Sequence, residues 1–544
     1  MIRFGALLVT AFLLPAWGGE LRLRPPLWKD LDNQPVAKPG KQKVSELNAI
    51  LYNTWLRHLD GGYKAVSAHD RGALSVNAWD EAPDSSWFTN RIGRNPMTFA
   101  EIVQGLGAKP PAAPPWTVNT VIDEGYTPKF LIRDSAGGGY FLKLDPSPPE
   151  RNSGAERIST LVFYAAGYNV PGNTIAYFRA EDLRLDPKAA ISDAAGKSRS
   201  MTPADLAAVM ARVKPLADGR YRALASFMIS GSAGKFKYSG TRKDDANDII
   251  PHELRRELRG MYVIASWVNH ADCGDKNTFD AYAGEKGKEF IRHYLMDFGS
   301  TLGAGDFVNG PYRVGHEYVF DGAAMGLTFV TLGIWRRPWE VHGEIRYPEI
   351  GYFESDLFAP QSWKPNYPNL AYVRMDDADA YWGAKIVTGF SNGLIRQLAE
   401  AGEYSRAEAA AYLADTLTRR RDAIGAYWLD RISPLEDFVL QDNRLTFRDL
   451  AVERGFAEEN ARAYRMRAGA AKVASEFRGL SVLLPALRLP ERAAADRYGR
   501  TPLAAISIQS RDRAGGWGLP VEVILGRNGD GSELQVLGWR HAAR

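Results

Sequence analysis

An uninterrupted order of strand, turn, strand, helix and strand most constrains the fold of this chain. Residues 129–134 and 140–145 are apolar runs rich in aromatic and aliphatic side chains, and a glycine-rich turn at 135–139 separates them. This pattern predicts a β-hairpin. A helical run at 154–166 follows, and an apolar strand at 174–178 follows the helix. This gives the order strand, lysine-bearing strand, helix and strand.

Later patterns predict a mostly helical region and then a β-rich end. One helix is expected at 381–401, and a second is opened by the capping box Ser405-x-x-Glu408 and runs to about residue 428. Short strands at 503–510 and 521–525 are separated by turns rich in glycine and aspartate. The helical region and the strands are therefore expected to form separate parts of the chain.

The composition is that of a folded protein. The chain has 544 residues, of which 45% are hydrophobic and 24% charged. Its 68 basic residues are spread among 64 acidic ones, for a formal charge of +4, so the charge pattern predicts no nucleic-acid partner. Cys273 is the single cysteine, so no intramolecular disulfide can form and the core alone must hold the fold.

The first 18 residues have the pattern of an export signal. Arg3 precedes an apolar run at 4–14, and the small residues Ala16 and Gly18 suit signal-peptidase cleavage. The run is shorter than the ~20 residues that a membrane-spanning helix needs. We therefore expect a signal peptide at 1–18 and a periplasmic or secreted protein. An uncleaved anchor is the alternative, and membrane association is expected only in that case.

Three oxygen-bearing side chains have a spacing that suits phosphoryl transfer to a hydroxyl. Asp272 precedes Asn277 by five residues, the interval between base and metal-binding amide in the kinase catalytic loop. Asp297 follows in an Asp-Phe-Gly tripeptide, after a strand-like run at 290–295. Amide and carboxylate oxygens are ligands that Mg²⁺ prefers, with phosphates and water completing its shell. Asp275 remains an alternative base.

A lysine in the predicted hairpin and a glutamate in the next helix form a second pair. Lys143 is an ionisable residue in an apolar strand, so it needs either solvent or an anionic partner. Glu156 lies thirteen residues later, early in the helix. A strand lysine paired with a helix glutamate holds nucleotide phosphates in kinases. Lys276 is another residue that could contact phosphate. The backbone amides of the turn 136–139 are candidates to cover phosphates, but the turn lacks the G-x-G-x-x-G spacing, and a flexible hairpin tip explains it at least as well.

On these residues the chain resembles the atypical kinase-fold group that includes the HipA-like toxin kinases and the phosphoinositide kinases. The similar features are the strand FLKLDP, the helix glutamate followed by AAGYNVP, and the loop ADCGDKN followed by MDFG. The resemblance covers about residues 125–430. It implies an α+β, two-lobed kinase-like fold with a small β-rich N-lobe, a mostly helical C-lobe and ATP between them. Export makes the chain look more like secretory-pathway and spore-coat kinases than like toxins.

The resemblance also implies roles: Asp272 would be the catalytic aspartate, Lys143 would lie on the phosphates of ATP, and Asn277 and Asp297 would bind Mg²⁺. From the residues themselves we add Lys143 to the catalytic set, and Glu156 and Lys276 to the residues that contact ATP. The expected domains are, in chain order, a signal peptide at 1–18, an accessory segment at 19–124, the N-lobe at 125–234, the C-lobe at 235–478 and a β-rich tail at 479–544.

The sequence thus predicts an exported, ATP- and Mg²⁺-dependent kinase that acts on a hydroxyl of a protein, a sugar or another acceptor. A nucleotide-binding or non-catalytic pseudokinase or scaffold of the cell envelope is the alternative. A hydrolase is a further alternative, in which Asp272 and Asp297 flank a glycosidic bond. Cys273 could be a nucleophile, but no His and Asx pattern accompanies it, which favours a small residue in a crowded loop.

Overall fold

A computed structural model gives the fold of residues 21, 23–61, 72–122, 128–145, 148–192, 198–305, 310–468, 474–487, 489–490, 493–529, 531 and 533–543. The predicted signal peptide lies outside these described residues. Within them, no helix has the length and apolar character needed to cross a membrane. The chain forms two compact units: a larger one of Leu27–Asn77 and Glu81–Asp430, and a smaller one built mainly from Arg431–Ala542 with Ala78–Asp80.

The larger unit begins with two helices and a seven-stranded sheet. The helices are α1 (Glu46–Thr54) and α2 (Phe99–Leu106). The next elements are, in chain order, β1 (Trp116–Ile122), β2 (Lys129–Arg133), β3 (Gly139–Leu144), α3 (Arg151–Ala166), β4 (Asn173–Phe178), β5 (Leu183–Ser192), β6 (Ser198–Ser200), α4 (Pro203–Met210) and β7 (Tyr221–Phe227). The strands lie in the order β4-β7-β3-β2-β1-β5-β6, and all neighbours are antiparallel except β1 and β5. We call this sheet with α3 and α4 the N-lobe.

The helix α3 is the buried element that joins the N-lobe to the rest of the unit. All of its residues except Arg157 and Tyr164 are buried, and it packs against β4 and β7. It ends at Gly167, where φ is +132° and a side chain would collide with the ring of Phe88. The core therefore fixes both the position and the end of the helix that carries Glu156.

The remainder of the larger unit is mostly helical, and we call it the C-lobe. Its elements are, in chain order, β8 (Ser232–Gly234), α5 (Arg256–Arg259), α6 (Met261–Trp267), β9 (Thr278–Ala283), β10 (Phe290–Leu295), α7 (Gly322–Val330), α8 (Leu370–Val373), α9 (Asp377–Val387), α10 (Asn392–Glu400) and α11 (Ala407–Arg431). The three strands form an antiparallel sheet in the order β10-β9-β8.

A capping residue interrupts one helix that the sequence predicts as continuous. The helix expected at 381–401 is divided into α9 and α10, because the Ser391 hydroxyl accepts a hydrogen bond from the Leu394 amide at 3.2 Å and so begins a new helix. Close packing has a separate effect at the junction of two other helices. Gly260 lies between α5 and α6, where a Cβ would come within 2.9 Å of the Asp379 carbonyl oxygen.

The smaller unit is built from strands around its own apolar core. Its elements are, in chain order, β11 (Leu435–Gln441), β12 (Arg444–Asp449), α12 (Leu450–Glu453), β13 (Tyr464–Ala468), β14 (Ser475–Phe477), β15 (Ser481–Leu483), β16 (Arg500–Ser510), β17 (Val521–Asn528) and β18 (Gln535–His541). The strands begin before residue 479, where the sequence analysis starts the β-rich tail. The Trp539 amide donates to the Ala78 carbonyl at 2.8 Å, which ties Ala78–Asp80 to this unit.

The structure confirms the predicted α+β class, with a β-rich N-lobe followed by a mostly helical C-lobe. The hairpin predicted at 129–145 is β2 and β3, and the strand predicted at 290–295 is β10. Both lobes belong to the larger unit, so the residues of the predicted site share one compact body.

Candidate active site

Lys143 lies between two carboxylates that come from distant parts of the chain. Its Nζ atom is 2.6 Å from Oε1 of Glu156 on α3 and 3.0 Å from Oδ1 of Asp297, which follows β10. Lys129 stands directly opposite Lys143 in the β2–β3 hairpin, and its Nζ is 3.8 Å from Oδ2 of Asp297. Residues that are far apart in sequence therefore form one compact cluster, in which two lysines contact the carboxylate of Asp297.

The lysine and the two carboxylates of this cluster shift one another's pKa values. Burial alone would lower the pKa of Lys143, but the charges of Asp297 and Glu156 outweigh burial and raise that pKa. The charge of Lys143 holds the pKa of Asp297 well below its usual range, against burial and with help from Lys129. Burial raises the pKa of Glu156, and Lys143 opposes this effect. At neutral pH the cluster thus holds a cationic Lys143 and an ionised Asp297.

The Asp-Phe-Gly tripeptide gives three neighbouring residues three different surroundings. The backbone of Asp297 is left-handed, with φ of +63°, and its side chain is 40% exposed. Phe298 is fully buried and stacks on the ring of Phe163 with centroids 4.7 Å apart. A Cβ at Gly299 would lie 3.2 Å from Oε2 of Glu156, so glycine leaves room for that carboxylate.

The loop before β9 carries Asp272 and Asn277. The side-chain amide of Asn277 donates to the Asp272 carbonyl oxygen at 2.6 Å, which closes the loop on itself. The Met296 amide donates to the Asn277 carbonyl at 2.9 Å, continuing the β9–β10 pairing of Thr278 with Leu295. The hairpin therefore brings Asn277 beside the residue that precedes Asp297.

The carboxylate of Asp272 has a lysine as its neighbour. Nζ of Lys276 is 3.3 Å from Oδ1 of Asp272 and 2.8 Å from Oε1 of Glu46 on α1. Burial raises the pKa of Asp272, and the charge of Lys276 partly offsets this rise. A carboxylate with a raised pKa is a stronger base than an ordinary aspartate, which suits acceptance of a proton from a hydroxyl.

The carboxylate of the alternative base, Asp275, is already engaged in a hydrogen bond within the protein. Its Oδ1 accepts the backbone amide of Tyr238 at 3.0 Å, so this carboxylate fixes a loop. The turn 136–139 is similarly occupied, because Oδ1 of Asp134 accepts the amides of Ala136 at 3.0 Å and Gly138 at 2.6 Å. Two amides of that turn are thus committed to Asp134 and cannot also serve a phosphate.

Cys273 and His270 pack into the interior beside Asp272. Burial raises the pKa of the Cys273 thiol to about 12, so the thiolate that a nucleophile requires is scarce at neutral pH. Burial lowers the pKa of His270 to about 4, and its ring lies 5.3 Å from that of Phe298. Both side chains are therefore neutral near pH 7.

Three charged residues at the site were not predicted from the sequence. Lys129 had a local signal, since Lys129 and Lys143 are equally far from the centre of the hairpin turn and must pair. Lys235 donates to the Lys276 carbonyl oxygen, and burial lowers its pKa while Asp297 opposes that effect. Neither Lys235 nor Glu46 had a signal, because their contacts join segments far apart in sequence.

The residues present fit a magnesium ion that is shared with a phosphate ligand. In the part of the chain that the structure describes, no three His, Cys, Asp or Glu side chains form a complete metal cage. Asn277 and Asp297 offer an amide and an ionised carboxylate. Mg²⁺ usually takes one or two protein oxygens and completes its octahedral shell with phosphates and water, so this small donor set suits it.

No family model matches the chain, and no curated protein is significantly similar to it in sequence. Among solved structures, the chain is similar to a Helicobacter pylori proinflammatory kinase, CtkA, at 11% identity and a TM-score of 0.30, over 56% of this chain and 91% of that one. It is also similar to the Golgi casein kinase, at 9% identity and a TM-score of 0.29, over 74% and 94% of the two chains. The Golgi casein kinase with Mn and ADP bound is similar at 9% identity and a TM-score of 0.28, over 72% of this chain and 94% of that one. These TM-scores are too low to carry a conclusion about function.

Proposed function

We propose that the chain is a kinase that transfers the terminal phosphoryl group of ATP to a hydroxyl. The observation that carries the proposal is the position of Lys143 within 3.0 Å of both Glu156 and Asp297, with Lys129 on the same Asp297 carboxylate. Two lysines directly opposite each other in a hairpin repel, which disfavours the pair unless anions lie between them. One carboxylate and a polyphosphate together supply such anions.

In this proposal each residue of the cluster has one role. Lys143 and Lys129 bind phosphate oxygens, and Glu156 holds Lys143 in place. Asp272 accepts the hydroxyl proton while the acceptor oxygen bonds to phosphorus and the bond from phosphorus to the bridging oxygen of ADP breaks. Asn277 and Asp297 would hold Mg²⁺, which would supply neutralisation of phosphate charge. Lys276 keeps Asp272 oriented through their 3.3 Å contact.

A non-catalytic nucleotide-binding protein is the second candidate, and one observation favours it. Lys276 is paired with the carboxylate of Asp272, and the same ammonium is held by Glu46. A base whose charge is compensated from within the protein is less available to a hydroxyl. In this alternative the Lys143 cluster binds nucleotide, but no phosphoryl group is transferred.

The deciding experiment is a titration of the purified chain with ATP and Mg²⁺, read by thermal shift and by ADP release, for wild type and Asp297→Ala. Asp356→Ala is the matched control, since the Asp356 side chain is 88% exposed and its ion-pair partner is Arg419 at 4.0 Å, which is not a residue of the Lys143 cluster. We expect binding and turnover in wild type and in the control, and loss of both in Asp297→Ala. Binding without turnover supports the second candidate. A wild type that neither binds nor turns over refutes both.

We also propose that the protein is exported to the periplasm or secreted, on the basis of the pattern in residues 1–18. Expression of the full chain in a bacterial host, followed by fractionation and N-terminal mass analysis, tests this. A mature chain that lacks residues 1–18 is expected outside the cytoplasm. A full-length chain that stays in the cytoplasmic fraction would contradict the proposal.

A further inference from the structure

The helix α7 and the residues after it form an apolar projection. None of the residues of α7 is buried, and the chain from Gly322 to Trp335 contains no charged side chain. The most exposed apolar side chains in this segment are Phe329 at 82%, Val330 at 77%, Leu332 at 87% and Ile334 at 83%. Scattered exposed apolar residues are ordinary, but four within six positions need an explanation.

A stripe on α1 extends this projection into a larger surface. Leu47 and Leu51 lie one turn apart on the same side of α1, Trp55 caps the C-terminal end of that helix, and all three are exposed. The ring of Trp55 lies 5.4 Å from that of Phe320, which immediately precedes α7 and is also exposed. We call the whole surface the apolar face; its members are Leu47, Leu51, Trp55, Phe320, Phe329, Val330, Leu332 and Ile334.

The residues that border the projection are those that favour a membrane interface. Trp335 and Trp339 flank Arg336 and Arg337, and Arg337 lies over both indole rings at 5.8 and 5.7 Å. Tryptophan is enriched at the headgroup level of bilayers, and arginine can extend its charge to lipid phosphates while its stem stays in apolar surroundings. Within segment 322–339 the charged side chains are these two arginines. Glu317 and Glu340 compensate Arg337, which leaves Arg336 to complement an anionic surface.

The two arginines are differently available to a lipid. Arg337 is held by Glu317 at 2.7 Å and by Glu340 at 2.9 Å, and the Trp339 indole donates to Glu317 at 2.9 Å, so this corner is rigid. No hydrogen bond or ion pair joins the exposed Arg336 to another of the described side chains. A rigid corner with one available guanidinium beside an apolar tip suits insertion of the tip with phosphate contact at its base.

From these observations we infer that the apolar face docks the protein on an anionic phospholipid bilayer, with the tip from Phe329 to Ile334 inserted at the boundary of headgroups and acyl chains. Bilayer insertion removes all four tip side chains from water at once. The inference is independent of phosphoryl transfer, and it requires no anchor in residues 1–18.

Vesicle flotation tests the inference. The wild-type chain is mixed with vesicles of phosphatidylcholine alone or of phosphatidylcholine with phosphatidylglycerol, and the variants are Phe329→Ser with Leu332→Ser, Arg336→Glu, and the control Ile249→Ser. Ile249 is 80% exposed and lies outside the apolar face, which makes it a matched substitution. Both the full chain and a chain starting at Gly19 are used, because residues 1–18 are themselves apolar.

We expect both chain lengths to bind the anionic vesicles. The double tip variant should bind at least about tenfold more weakly, and the control should bind as the wild type does. Arg336→Glu should weaken binding to anionic vesicles by several-fold. Failure of the chain from Gly19 to float, equal binding by the tip variant, or an equal loss in the control would each overturn the inference. So would a wild type that is dimeric by light scattering and becomes monomeric on tip substitution, because the face then binds a second copy. Circular dichroism of each variant confirms that it is folded.

Discussion

The substitution Lys143→Met removes the cation from the centre of the cluster while keeping much of its apolar stem. The side chain of Glu156 is 3% exposed and that of Lys143 is 15% exposed, so their 2.6 Å contact is a buried ion pair. Removing one partner of such a pair leaves a buried charge without compensation, which costs about 3–5 kcal/mol. The contact of Lys143 with Asp297 adds little to the free energy of unfolding, because the Asp297 side chain is 40% exposed. Ion pairs in contact with solvent contribute about 0–1 kcal/mol to stability.

We therefore expect Lys143→Met to lower the free energy of unfolding by about 3 kcal/mol at neutral pH, the lower end of that range. Asn173 supports this end, because its side-chain amide lies 3.4 Å from Oε1 of Glu156 and supplies some compensation. In the double variant with Glu156→Gln no unpaired charge is buried, so most of the loss should be recovered.

The loss should grow with pH. In wild type, Lys143 depresses the pKa of Asp297, so this group stabilises the fold above the unfolded pKa of 3.8 and loses that contribution as pH falls through the folded value. Without Lys143, the folded pKa of both carboxylates rises. A carboxyl group with a raised folded pKa destabilises the fold as pH rises through that pKa. The free energy of unfolding of the variant should therefore be closest to that of wild type near pH 4 and furthest below it near pH 8.

Urea unfolding followed by tryptophan fluorescence measures these differences. Because the chain has two compact units, two transitions are expected, and only that of the larger unit should shift. Lys288→Met is the control, since its contact with Glu285 is exposed on both sides and its loss should cost less than about 1 kcal/mol. If Lys143→Met costs no more than this control and shows no dependence on pH, the buried ion pair does not exist in the protein.

Three further predictions concern the loop around Asp272. Asp272→Asn should lower kcat by about a hundredfold to ten-thousandfold while the thermal shift with ATP is retained; an unchanged kcat would exclude Asp272 as the base. Lys276→Met should move the acid limb of the kcat profile to higher pH, because the charge of Lys276 lowers the pKa of Asp272; a shift to lower pH would contradict the contact. Cys273 should resist iodoacetamide at pH 8 in the folded protein and react fully in denaturant, since burial raises its pKa to about 12. Rapid labelling of the folded chain would show the thiol to be accessible.

Local patterns were sufficient to predict the N-lobe hairpin and the tail strands, because alternation and turn residues are properties of short segments. The pairing of Lys143 with Glu156 was predicted from its likeness to the kinase arrangement together with the loop around Asp272, because local patterns alone favoured a surface lysine. Local patterns could not predict the contact of Glu46 with Lys276, which joins α1 to a loop far along the chain. The interruption between α9 and α10 was likewise missed, although Ser391 is a recognisable capping residue in retrospect.

Asp297 shows why the site cannot be explained by packing alone. A left-handed backbone costs a residue other than glycine about 1–2 kcal/mol, and aspartate is among the few that tolerate it. Glycine at this position would remove that strain and one charge from the cluster. What aspartate adds is the carboxylate that contacts Lys143 and Lys129, while the same turn buries Phe298 and leaves space at Gly299 for Glu156. A positive φ is not special to this site, since nine other described non-glycine residues have one. What distinguishes Asp297 among them is that its carboxylate meets two lysines that face each other in a hairpin, so the proposed phosphate-binding role rests on those charges and not on the backbone.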